Sequence, residues 1–133
     1  MCALPLHHVC EVMRPLPIDG VAGAPPFVRG LSVVRGEPVV VVDAALLIAS
    51  APAPTRRFVL LRLEHRSVVL AVTDVIGTRA ISVEQLAQVP PLLSESRAGR
   101  HSLGQLDGEL LEILDSARII DAAVSASGNG AEA

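Results

Sequence analysis

The chain contains no tryptophan, no tyrosine and no lysine, and its aromatic residues are two phenylalanines, Phe27 and Phe58. Each absence removes a class of function. Without aromatic side chains there are no stacking platforms for single-stranded nucleic acid. Positive charge is carried by arginine alone, and 11 basic against 14 acidic residues leave a net charge of −3. That balance supplies no electrostatic drive toward nucleic acid or an anionic membrane. Cysteine is scarce too. Cys2 and Cys10 provide no disulfide framework, which points to a reduced, cytoplasmic setting. The start of the chain lacks the positive segment, apolar stretch and cleavage site of a secretory signal. Its longest apolar stretch, residues 38–54, is interrupted by Asp43 and bounded by prolines, so it does not read as a membrane span.

What remains is aliphatic. Half of the 133 residues are hydrophobic, chiefly valine, leucine and alanine, enough for one domain or two small subdomains that share a core. One unit is written twice. Residues 27–48 (FVRGLSVVRGEPVVVVDAALLI) and 101–120 (HSLGQLDGELLEILDSARII) each hold an apolar run, a turn ending in glycine, a second apolar run, an aspartate and a short helical stretch. The turns are Arg35-Gly36 and Asp107-Gly108; the aspartates are Asp43 and Asp115. Upstream, ALPLHHV at 3–9 matches VLAVTDV at 69–75. In the second copy that segment follows a further strand-like run, residues 58–63. In the first it follows Met1 and Cys2 alone, so the first copy is expected to lack a strand.

The pattern predicts an all-β scaffold. Four consecutive valines, 39–42, favour extended structure and suit a strand buried on both faces. Hairpins are expected at Arg35-Gly36, at Asp107-Gly108 and around residues 64–66. Short helices are expected near residues 82–88, with Ser82 as cap, and 116–124, capped by Asp115 or Ser116. Residues 125–133 have the small polar composition of a flexible tail, and the Ala-Pro repeat at 51–54 marks a stiff joint between halves. The division expected is barrel 1 at about 1–50, barrel 2 at about 55–115, and a C-terminal helix returning to barrel 1.

No catalytic set emerges. The serines lie in no nucleophile elbow, and no glycine loop cradles phosphate. The acids Glu11, Asp43, Asp74, Asp107 and Asp115 sit one per turn or strand end, where capping accounts for them. Cys2, His7, His8 and Cys10 offer zinc-type ligands, but adjacent histidines on an extended strand point to opposite faces, so no metal or other cofactor is expected. Arg35, between a valine run and a glycine turn, reads as a structural clamp on backbone carbonyls.

The stretch GAPPFVRGLSVVRG at 23–36, followed by residues 38–43, resembles the signature of the CheW-like domain family. ALPLHHVCEVMRP at the start, residues 68–76 and the terminal GQLDGELLEILDSARII resemble further family motifs in family order, over about 3–120. The resemblance implies two SH3-like β-barrels packed side by side and a non-enzymatic adaptor that couples chemoreceptors to the histidine kinase CheA. It implies a receptor-tip groove at Val9, Val12 and Ile76, kinase contacts at Glu11 and Gly30, and structural roles for Arg35, Gly36 and Asp43. Departures from the family pattern are Val33 in place of an asparagine, Arg79 at a usually aliphatic groove position, and no room for the family's first strand. A barrel short of one strand leaves three outcomes: closure with fewer strands, a strand-exchanged homodimer, or an earlier start codon. A divergent adaptor, binding a receptor or other signalling partner without normal kinase coupling, is the alternative reading.

Overall fold

The computed structural model describes residues 1–81, 86–88, 100–106 and 108–131. In chain order these form β1 (Cys2–Ala3), a 3-10 turn (Leu6–His8), β2 (Val9–Met13), β3 (Val28–Val34), β4 (Glu37–Asp43) and α1 (Ala44–Ala49). There follow β5 (Arg57–Leu63), β6 (Arg66–Val72), β7 (Leu86–Gln88), β8 (Arg100–Leu106), β9 (Glu109–Leu114) and α2 (Ser116–Ala131). The strands make two sheets, one of five in the order β2-β5-β6-β4-β3 and one of four in the order β1-β9-β8-β7.

Local chemistry explains the hairpins. Arg35 and Gly36 have φ of 51° and 82°, the pair of left-handed residues that a tight turn between twisted strands requires. In the β5–β6 hairpin Glu64 alone takes a left-handed conformation (φ 59°). Asp43 ends β4 and caps α1, its Oδ1 accepting from the Leu46 amide at 3.1 Å. Asp115 does the same for α2, accepting from the amides of Ala117 at 3.0 Å and Arg118 at 3.3 Å.

The valine run behaves as expected of a strand covered on both sides. Val39 and Val41 enter one core with Val34, Phe58, Leu60, Val69 and Ala71. Val42 enters a second core with Val59, Leu61, Val68, Leu70, Leu114, Leu47 and Ile48 of α1, and Ile119, Ile120 and Ala123 of α2. The five-stranded sheet therefore has two dry faces. One lies beneath the helices. The other is the inside of the curled sheet, filled also by Met13, Leu16 and Ile18. Each fully buried aliphatic or aromatic side chain contributes about 1.5–3 kcal/mol, which makes this sheet the rigid frame of the molecule.

The curl is not closed by a continuous ladder. Its outer strands β2 and β3 approach through an ion pair between Glu11 and Arg35, and the chain leaving β2 reaches β3 in a single bridge, Asp19 to Leu31. The Asp19 and Leu31 amides and carbonyls exchange two hydrogen bonds of 2.8 Å.

The duplication holds down to the register. A shift of 66 residues relates the leading segments and one of 72 relates the hairpins. Ala3 pairs in parallel with Ile113, and its counterpart Val69 pairs in parallel with Val41, the counterpart of Ile113. Even a ladder irregularity recurs, between Val28 and Gly30 and between Arg100 and Ser102. The two copies are interlocked, because the leading strand of each pairs with the hairpin of the other.

That interlocking corrects the division drawn from sequence. The sheets do not follow residues 1–50 and 55–115: β5 and β6 join β2, β3 and β4, while β1 joins β7, β8 and β9. The local repeat was legible, but parallel pairing between copies has no local signal. Two further expectations change. Leu86–Gln88, assigned to a helix near 82–88, is a strand paired with Ser102 to Gly104 of β8, so sheet pairing overrides a short capping pattern; residues 82–85 lie outside the described residues. The helix expected at 116–124 continues through the expected tail to Ala131.

Candidate partner-binding site

β2 is the outermost strand of the five-stranded sheet, and its register determines what it presents. Val9 lies opposite Leu61, and Val12 opposite Val59, both members of the helix-side core. Residues directly opposed in a ladder send side chains to the same face. In a regular strand, positions three apart face opposite ways. Here an irregularity between Val9 and Glu11 absorbs one residue, so Val9 and Val12 share a face. Val9 is half-buried against the core, whereas Val12 is 44% exposed.

Ile76 stands in the irregular stretch after β6 and is 72% exposed. The three residues expected to line a groove thus divide into a pair fixed on β2 and a third on a separate segment. Glu11 and Met13 point to the opposite face of β2, opposite Leu60 and Phe58. Glu11 is engaged by Arg35 from the β3–β4 turn, and both side chains are accessible to solvent. Arg35 is therefore a cross-barrel ion-pair partner, and the expected clamp on backbone carbonyls is replaced by this contact. The reason is geometric: its turn lies at the seam where the curled sheet brings β2 near.

Gly30, expected as a kinase contact, has a structural task first. A Cβ there would lie 2.1 Å from the Asp19 carbonyl oxygen, and its φ is 141°. Only glycine lets the two backbones close the seam. Gly36 completes the adjoining turn. Asp43, 4% exposed, caps α1 with one carboxylate oxygen and accepts from Arg29 Nη1 at 3.2 Å with the other. Arg29 has no sequence pattern that marks it for this role. Nor does the pair His8 Nδ1 and Ser116 Oγ, 3.0 Å apart, which ties the 3-10 turn to the start of α2 across 108 residues of chain.

Among the described residues, no group of three or more His, Cys, Asp or Glu side chains could hold a metal ion. No helix among them is long and apolar enough to cross a membrane.

Comparison with known proteins decides the family. The CheW-like domain family matches residues 1–124, nearly the full chain. The chain belongs to the CheW-like domain family. Its fold agrees with a solved structure, the scaffolding protein TtCheW from Thermoanaerobacter tengcongensis, at a TM-score of 0.75 and 19% sequence identity. The match covers 84% of this CheW-like chain and 79% of TtCheW. No curated protein matches. The CheW-like fold is SH3-like, which identifies the curled five-stranded sheet as one of its barrel units. The CheW-like family is one of chemotaxis scaffold and adaptor proteins rather than enzymes.

Proposed function

We propose that this CheW-like chain is a cytoplasmic adaptor that links a chemoreceptor's cytoplasmic tip to the regulatory domain of a CheA-type histidine kinase. The supporting observation is the irregularity in β2, which puts Val9 and Val12 on one face of an edge strand backed by a sheet buried on both sides. A receptor helix docking by its apolar stripe needs such a face, with exposed aliphatic groups that do not yield. Ile76 supplies the facing wall of the groove. Glu11 and Gly30, on the two strands that meet at the seam, provide the kinase-facing surface. Single contacts of this size are weak and gain strength by repetition in an array.

Among the described residues the sheets are unequal, four strands against five, which favours a second reading. In it the chain is a divergent adaptor that holds a receptor or other signalling partner without normal kinase coupling. A strand-exchanged homodimer is the competing use of the β1 edge, and a monomeric mass in sedimentation velocity removes it.

Pull-down with a receptor cytoplasmic fragment and, separately, with a CheA regulatory domain distinguishes the readings. Binding to both supports the adaptor; binding to the receptor alone supports the divergent form; binding to neither overturns both. Val12→Asp, at an exposed position, abolishes receptor capture without altering the thermal midpoint. Capture equal to wild type would remove the groove assignment.

A further inference from the structure

Residues 4–8 carry the chain from β1 in the four-stranded sheet to β2 in the five-stranded one. Asp115 carries it from β9 to α2, whose Ile119, Ile120 and Ala123 join the helix-side core of the five-stranded sheet. A hydrogen bond of 3.0 Å between His8 Nδ1 and Ser116 Oγ ties these two crossings together. Its ends are unequally held. Ser116 is 1% exposed, and α2 is fixed around it by the Asp115 cap and the three core side chains. The 3-10 turn that carries His8 buries none of its side chains and has no side-chain cap at its start. It closes through two backbone bonds, from the His8 amide to the Pro5 carbonyl at 3.1 Å and from the Val9 amide to the Leu6 carbonyl. So short a 3-10 segment has little stability of its own and takes its position from what it is tied to.

Val9 follows directly, as the last cap of the turn and the first residue of β2. On its other side the ladder with β5 shifts register before Glu11, so Val9 is separated from the regular part of the strand. The turn is therefore what steadies Val9 from the chain side, and His8 is what steadies the turn. We infer that His8 is a positioning residue for the partner-binding face: its bond to the buried Ser116 holds the turn against α2 and so fixes where Val9 stands relative to Val12. This role rests on the receptor reading above and adds to it a residue that acts through Val9.

The physical effect is preorganisation. A turn that is already docked leaves less ordering to be done when a helix seats on Val9 and Val12, and the saving appears as affinity. Its size is that of one net hydrogen bond between side chains, about fivefold in a binding constant. The coupling is reciprocal, so a partner seated on β2 also tightens the contact at the start of α2.

The test compares amide hydrogen exchange in the free full chain with its affinity for a chemoreceptor cytoplasmic fragment. His8→Ala speeds exchange of the His8 and Val9 amides about fivefold, while Val69 and Leu70 of β6 keep their wild-type rates, and affinity for the fragment falls by about the same factor. Ser116→Ala gives the same losses, and the double variant loses no more than either single one. His8→Asn, which offers a donor and an acceptor where Nδ1 stands, restores both readouts. Arg66→Ala removes a different tie of α2, its ion pair with Asp121, and leaves both unchanged. Unchanged exchange at His8 and Val9 in His8→Ala, additive losses in the double variant, or no rescue by Asn overturns the inference. So does equal acceleration in β6, since the pair then supports the whole fold and not the turn. Failure of the wild-type chain to bind the fragment overturns the receptor reading instead, and the exchange comparison still decides whether His8 places Val9.

Discussion

Gly30 joins two requirements at one position, a positive φ and a backbone contact too close for any side chain. Gly30→Ala therefore sets a Cβ against the Asp19 carbonyl and costs at least about 2 kcal/mol, measured by urea denaturation. Loss of kinase binding by that variant would report a disturbed seam as readily as a lost contact. Asp43 is the second such residue. Asp43→Ala removes the α1 cap and the Arg29 partner together, at an expected cost of about 1–2 kcal/mol, whereas Arg29→Ala keeps the cap and costs less. A thermal melt of the two variants that gives equal losses would remove the capping account. Asp43 was legible as a capping aspartate because a cap acts on amides a few positions away. Arg29 and the His8–Ser116 pair were not, since their partners are fixed only by the fold.

The elements show the same contrast between local and long-range information. Hairpins were readable from glycine and valine, whose conformational preferences act within a few residues. The fate of Leu86–Gln88 was not, as it depends on β8 being alongside. The irregularity in β2 is another case. Sequence spacing alone would send Val9 and Val12 to opposite faces, and the ladder with β5 corrects it. At this scale the barrel seam invites a quantitative test. Glu11 and Arg35 are both accessible, so a double-mutant cycle of Glu11→Ala and Arg35→Ala gives a coupling below about 1 kcal/mol. Phe58→Ala, inside the curl, costs about 3–5 kcal/mol. A coupling comparable to the Phe58 loss would mean that the ion pair, and not the core beneath it, holds the seam.

For the whole molecule, the repeat predicts two similar units and the structure shows how they are joined. Each leading strand crosses to the other copy's hairpin, so neither copy is a separate domain. One consequence is a single cooperative unfolding transition, seen as coincident urea curves from amide exchange in β9 and in β6. Another is that β2, which carries the proposed receptor face, and β1 belong to different sheets of one frame. Co-sedimentation of a CheA regulatory domain with receptor-bearing vesicles, in the presence and absence of this chain, tests the adaptor account most directly. The prediction is that the kinase domain pellets only when the chain is added, and that Val12→Asp returns it to the supernatant. If the chain pellets with the receptor and the kinase domain stays in solution, the coupling role is contradicted.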